Sequence, residues 1–250
     1  MTENRARAGF IGLASAALAA AALTAPGQAT AAPPPIDPVA KYELYLSGLA
    51  ASGNAGASET LGEFRNLPQE KKETFVDYLD NPEMGQALGE FISDGIDEEN
   101  FVTEQKRELY GGDVVLESEV NFEETDDAST GASTMGAVGV QGTAGDKRAW
   151  YTVYDKIFGV KVTKVTIGVN YTTSKTRTLK VYSAYAAHYN YVPFSEFSHS
   201  PVQKWISADP GNNAHGETVW TGEWAGSEWS ARQRVWADQD GFKGGYLKDS

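Results

Sequence analysis

The chain has no cysteine among its 250 residues, and this absence removes several kinds of chemistry at once. A protein without cysteine forms no disulfides and has neither a thiolate nucleophile nor a thiolate metal site. Its fold must therefore be stabilised by the core alone. About 219 residues follow the first 31, and a chain of that size buries enough apolar surface to fold without covalent cross-links.

Long hydrophobic runs are also missing. The longest, from Phe10 to Leu23, has about 14 residues, whereas a transmembrane helix needs about 20. Arg5 and Arg7 precede it, and the small-residue sequence Ala29-Thr30-Ala31 follows. This order is typical of a secretory signal of bacterial type. We therefore predict a signal peptide over 1–31 and a secreted, extracellular or envelope-associated protein with no transmembrane segment in its mature part; the alternative is a retained anchor.

Basic residues are scarce, at 21 against 34 acidic residues, which gives a formal net charge of −13. The acidic surplus lies in residues 36–127, with 23 acidic and 6 basic side chains, whereas residues 128–250 carry 10 and 13. The acidic part is either a solvated surface or is attracted to the more basic remainder. A strongly acidic protein repels phosphate backbones, so we expect no nucleic-acid partner.

Motifs for catalysis and for cofactor or metal binding are absent as well. The three histidines, His188, His199 and His215, lack metal-ligand spacing. The sequence from Asp238 to Gly241 is similar to the middle of a calcium loop, but the positions at the two loop ends are not ligands. We predict a plain polar turn there, and we predict no catalytic residue, no cofactor and no metal.

The first part of the chain has the periodicity of amphipathic helices. A proline-rich leader at 32–35 precedes an acidic helical segment over 36–105. Asp37-Pro38 and Asn81-Pro82 are start signals, because Pro is favoured in the first helical turn. The spacing of apolar residues predicts four short helices, each apolar on one face, with the last ending at Gly95.

The periodicity changes to two near Gly111, which predicts strands over 112–250. A stretch of acidic, Gly, Ser and Thr residues over 123–145 predicts a flexible loop. Seven or eight short strands without intervening helices favour an antiparallel sandwich or barrel. The predicted fold class is α+β, with a helical N-terminal segment and a β-sandwich-like C-terminal domain.

All six tryptophans lie between Trp150 and Trp236. On a strand, Trp220 and Trp224 point the same way, roughly 13 Å apart, with Gly222 leaving a gap between them. Trp229 would lie opposite Trp224 across a hairpin. One interpretation makes Trp220, Trp224 and Trp229 a platform for a sugar ring or another flat ligand. The other places these indoles in the core, where tryptophan is usually buried.

Three functions are compatible with these observations. The first is a secreted, non-enzymatic module that binds carbohydrate or another cell-surface polymer through an aromatic sheet face. The second is a secreted glycoside hydrolase that uses carboxylates near Trp224, such as Glu217, Glu223 or Glu228. The third is a toxin or bacteriocin-like factor masked by the acidic helices. Nothing in the sequence indicates the oligomeric state.

Overall fold

The structure is a computed structural model, and it describes residues 36–93, 104–125, 142 and 144–249. Within these residues four helices come first, and ten strands follow in two antiparallel sheets. The predicted α+β class, with an antiparallel β part after the helices, is confirmed. The signal peptide expected at 1–31 and the leader at 32–35 lie outside the described residues, so secretion stays a prediction.

The four helices follow the local signals in the sequence. They are α1 (Pro38–Ala51), α2 (Ala55–Arg65), α3 (Gln69–Leu79) and α4 (Pro82–Ser93). Pro38 occupies the first turn of α1, where its missing N–H costs no hydrogen bond. The Asn54 side chain accepts a hydrogen bond from the backbone N–H of Ala57 and so caps α2. The stop expected at Gly95 lies outside the described residues.

The first sheet contains five strands in chain order, each antiparallel to the next. They are β1 (Glu104–Leu109), β2 (Val114–Thr125), β3 (Gly145–Ile157), β4 (Val160–Thr173) and β5 (Thr178–Asn190). A short 3-10 turn, Tyr110–Gly112, joins β1 to β2. Inward side chains such as Ile167, Val169 and Tyr171 are fully buried, as one face of a sheet requires.

The second sheet is built around two long strands. It contains β6 (Phe197–His199), β7 (Gln203–Ile206), β8 (Ala214–Trp224), β9 (Ser227–Asp238) and β10 (Gly241–Asp249). The order is β10-β9-β8, and β6 and β7 pair with successive parts of the remaining edge of β8.

The two sheets pack face to face and form a sandwich. A Cβ atom at Gly216 on β8 would lie 3.1 Å from the carbonyl oxygen of Gly168 on β4, so the backbones of the two sheets approach closely there. The buried Gln233 side chain links the layers: it donates to the backbone carbonyl of Tyr151 (3.1 Å) and accepts from the Trp220 indole (2.7 Å). A hydrogen-bonded side chain of this kind fixes one arrangement of the layers.

The helices pack against the sandwich and share its core. Thr60 on α2 donates to the carbonyl of Lys161 on β4, and the Tyr191 hydroxyl donates to the Asn54 side chain. A Cβ at Gly85 on α4 would lie 3.1 Å from Cβ of Trp224. The four helices thus contribute apolar side chains to the interior of the protein.

Three features of the structure differ from what the sequence predicted. The sequence did not predict β1 or β6, because β1 is a charged edge strand and β6 has only three residues. The helical segment was expected to run to 105, yet β1 begins at Glu104. The loop expected over 123–145 is shorter within the described residues, since 123–125 continue β2 and Gly145 begins β3; most of its remainder lies outside them.

No helix in the described ranges is long and apolar enough to cross a bilayer.

Candidate functional site

Two of the three tryptophans expected to bind a ligand are fully buried. Trp220 and Trp224 have 0% of their surface exposed. The Trp220 indole donates to Gln233, and the Trp224 indole donates to the carbonyl of Leu79 at the end of α3 (3.1 Å). Neither ring offers a face to a ligand. Their burial favours the alternative considered from the sequence, a role of these two indoles in the core.

Trp229 is half-buried and closes the gap expected at Gly222. The two residues are paired across β8 and β9, and a Cβ at Gly222 would lie 2.7 Å from the indole of Trp229. Phe197 packs edge-on against the same indole, with ring centroids 5.0 Å apart. The glycine therefore makes room for a neighbouring tryptophan, and no space for a flat ligand remains between Trp220 and Trp224.

Other aromatic rings lie on the side of the second sheet that faces away from the first sheet. We call this side the outer face. Trp205 on β7, His215 on β8 and Trp236 on β9 occupy one row across three neighbouring strands. Trp205 and His215 are parallel within 2°, with centroids 4.7 Å apart, and His215 and Trp236 follow at 6.2 Å and 21°. We refer to these three residues as the aromatic row.

A glycine on the edge strand sets the position of Trp236. Gly244 on β10 is paired with Trp236, and a Cβ there would lie 1.9 Å from the indole ring. Any other residue would displace the ring. The register of β10 shifts between Phe242 and Gly244, and such an irregularity redirects side chains at a sheet edge.

Charged side chains flank the aromatic row and are paired. The Arg234 guanidinium lies 5.1 Å from the centroid of the Trp205 ring, within cation–π range. It also forms an ion pair with Glu217. Lys243 lies 3.2 Å from the carboxylate of Asp238 and is shared with Asp240. These pairs leave little excess charge beside the row.

A groove of about 290 Å³ opens beside the aromatic row. Ser207, Asn213, Lys243 and Arg234 line it together with His215 and Trp236. Neither ring nitrogen of His215 has a hydrogen-bond partner within the described residues. Burial and the neighbouring Arg234 lower the pKa of His215 to about 4, so the ring is neutral at ordinary pH and offers one donor and one acceptor.

A second groove lies on the same face near the β8–β9 hairpin, and its volume is about 470 Å³. Hydroxyl groups of Ser198, Thr221 and Ser230 line its floor, and those of Ser198 and Thr221 are 2.8 Å apart. Glu223 and Glu228 are paired across the two strands at its end. Side chains paired in this way have Cβ atoms about 5 Å apart, so the two carboxylates can act on one ligand.

Both grooves could contact one elongated ligand. Thr221 and His215 are on the same strand, and the rise of about 3.3 Å per residue separates them by about 20 Å. The outer face thus presents hydroxyl and carboxylate groups at one end and aromatic and paired charged groups at the other. Such a surface matches a linear ligand that carries both apolar faces and hydroxyl groups.

The remaining residues considered from the sequence are the Asp238 loop and the other two histidines. Within the described part of the chain, no group of three His, Cys, Asp or Glu side chains is placed to hold a metal ion. The Asp238 carboxylate accepts from the backbone N–H of Asp240, as in a polar turn. His188 and His199 pack edge-on against Trp220, with centroids 5.5 and 5.0 Å from it.

Neither a family model, nor a curated protein, nor a solved structure matches this chain. The inference about function therefore depends only on the residues of the outer face. Trp205 and Trp236 were not among the site residues expected from the sequence. The signal for Trp236 was its position: it alternates with Val235 and Ala237, which are fully buried, and so had to face the other side of β9.

Proposed function

We propose that this chain is a secreted, non-enzymatic binding module that holds a neutral, hydroxyl-rich polymer, such as a cell-surface carbohydrate, on its outer face. The observation that supports this most directly is the aromatic row on the solvent side of the sheet beside a polar groove. Indoles stack on the apolar faces of sugar rings because they offer a large contact area and lose little conformational entropy.

The hydrogen-bonding groups in the groove suit sugar hydroxyls. A neutral imidazole both donates and accepts, as a hydroxyl does, so the His215 ring at the groove suits a ligand that carries hydroxyls. Both of its ring nitrogens are buried and lack a partner within the described residues, and a buried polar group without a partner costs free energy. Ser207 and Asn213 provide further donors and acceptors in the same groove.

The charges favour a neutral polymer over a charged one. Arg234 is paired with Glu217, and Lys243 with Asp238 and Asp240. A polyanion would have to displace these carboxylates and approach a chain with a net charge of −13. We therefore expect binding that depends weakly on salt.

Alanine substitutions of the two outer-face indoles test the proposal. Trp205→Ala and Trp236→Ala should each weaken binding to a neutral polysaccharide about tenfold, measured by calorimetry after a screen on a glycan array. Trp150→Ala is the matched control, because Trp150 is also half-buried beneath an arginine but lies on the outer side of the first sheet. An array without signal for neutral glycans, or equal losses in all three variants, would contradict the proposal.

A second candidate function is supported by the pair Glu223 and Glu228. Their cross-strand register places two carboxylates beside the larger groove, as hydrolysis of a glycosidic bond requires. If the chain is a hydrolase, it should release reducing ends from a polysaccharide that it binds, and Glu223→Gln should abolish the release without abolishing binding. Binding without any release would favour the non-enzymatic module.

A further inference from the structure

A separate pocket lies among the helices, away from the outer face. It is about 280 Å³ in volume and is formed by the start of α1, the end of α3 and the loop that follows β5. Its walls are mostly apolar, with Ile36 and Tyr45 from the first helical region, Leu79 from α3 and Phe194 from the loop. We call it the helix pocket.

Two of its apolar residues remain open to solvent. Phe194 is 91% exposed and Ile36 is 64% exposed. Phe194 also has a φ of 62°, a left-handed conformation that a bulky residue adopts only at a cost. An exposed aromatic ring held in an unfavourable backbone conformation beside an apolar cavity indicates a wall that a ligand would cover.

Opposite charges belong to the lining of the pocket. Lys41 is in the first turns of α1, and its ammonium group lies 5.7 Å from the centroid of the Phe194 ring. Asp80 is the C-cap of α3. Neither has an ion-pair partner within the described residues, and they do not pair with each other. The helix dipoles add to both charges, since a helix is positive at its start and negative at its end.

One residue that lines the pocket carries a buried hydroxyl. Tyr42 belongs to its wall, is 3% exposed, and its hydroxyl oxygen has no hydrogen-bond partner in the described part of the chain. Buried tyrosine hydroxyls usually find a partner. A ligand with a polar group would provide one.

We propose that the helix pocket binds a small zwitterion with an apolar body, of which an aromatic amino acid is the simplest example. The carboxylate of the ligand lies near Lys41 and the start of α1, and its ammonium group lies near Asp80 and the end of α3. The apolar body packs between Tyr45, Leu79 and Phe194. The two charges on the protein and the two helix ends both favour this orientation.

Three probes of equal ring size separate the contributions. L-Phenylalanine carries both charges, 3-phenylpropionate only the carboxylate, and phenethylamine only the ammonium group. Titration of the full protein, followed by NMR, should give a Kd of about 1 mM or tighter for phenylalanine, as expected for a ligand of this size. Each singly charged probe should bind about three- to tenfold more weakly.

Charge-specific variants test the orientation. Lys41→Gln should weaken phenylalanine and 3-phenylpropionate several-fold and leave phenethylamine unchanged, whereas Asp80→Asn should weaken phenylalanine and phenethylamine only. Leu179→Ala, an exposed leucine on β5, is the control that should alter none of the three. Absence of saturable phenylalanine binding, or variants that affect all probes equally, would overturn the proposal.

Tyr42→Phe distinguishes a ligand contact from a structural role. Because the hydroxyl has no partner, its removal should leave the midpoint of thermal unfolding unchanged or raised. The same variant should weaken phenylalanine binding several-fold. A lowered midpoint with unchanged affinity would show that the hydroxyl serves the fold and would refute its part in the site.

Discussion

Asp155 should make the stability of this protein fall as the pH rises toward neutrality. The residue is on β3, paired with Leu116 on β2 and Thr163 on β4, and is only 1% exposed. Neither carboxylate oxygen has a hydrogen-bond partner within the described residues. Burial raises the pKa of Asp155 from 3.8 to about 7, because the charged form loses its hydration.

The size of the effect follows from that pKa. The folded protein holds the proton up to about pH 7, whereas the unfolded chain releases it near pH 3.8. The contribution of Asp155 to the free energy of unfolding is therefore fully present below pH 3.8 and is lost as the pH rises through about 7. At about 1.4 kcal/mol per pH unit, the total loss is about 4 kcal/mol, a large part of the stability of an ordinary domain.

Asp155→Asn should remove this dependence. Urea unfolding of the variant and of the unchanged protein at several values between pH 5 and pH 8 gives the difference in free energy of unfolding, in which other titrating groups cancel. That difference should grow in favour of the variant by about 1.4 kcal/mol per pH unit up to about pH 7. A variant that is equally stable or less stable at every pH would refute the reasoning.

Asp146 is the natural control for this experiment. It lies on the same strand but is exposed, and hydrogen bonds from Thr172 and Tyr182 lower its pKa. The linkage then has the opposite sign: its contribution is present above the ordinary pKa of aspartate and is lost as the pH falls below it. Asp146→Asn should therefore lower stability by a constant amount between pH 5 and pH 8, with no slope in that range, and the difference from the unchanged protein should disappear only at acid pH.

Three further substitutions test the core and the outer face. Trp224→Phe should destabilise the fold by about 2–4 kcal/mol in urea unfolding, because it leaves a cavity and a carbonyl of Leu79 without its donor. Gly244→Ala should displace the Trp236 ring and weaken polymer binding in calorimetry, with the circular dichroism spectrum unchanged. Because the pKa of His215 is lowered to about 4, its contribution to stability falls as the pH decreases from about 6.5 to 4 and opposes that of Asp155; His215→Gln should therefore raise the thermal midpoint at pH 4 relative to that at pH 6.5, compared with the unchanged protein.

The fold could be predicted from the sequence to a large extent because its patterns are local. The Asn81-Pro82 signal marks the start of α4, and the alternation from Val114 onward marks β2. The strand β1 could not be predicted in this way, since its charged residues are typical of a sheet edge and carry no apolar alternation. Its identity as a strand depends on its partner β2, which is a tertiary contact.

The sequence predicted a candidate site on an aromatic sheet face, but it did not predict which tryptophans form that face. A cluster of tryptophans indicated an aromatic sheet face, but the sequence does not say which face of a strand is buried. Trp220 and Trp224 are covered by the first sheet and by the helices, whereas Trp205 and Trp236 are on the other side. The decisive contact, between Trp224 and the end of α3, joins residues 145 positions apart and has no local signature.

The six indole N–H signals of a ¹⁵N-labelled sample provide the most direct test of the outer face as a binding surface. When a neutral oligosaccharide that the protein binds is added, the signals of Trp205 and Trp236 should shift and those of the buried Trp220 and Trp224 should stay in place. Shifts confined to Trp150, or spread equally over all six, would contradict the proposed surface.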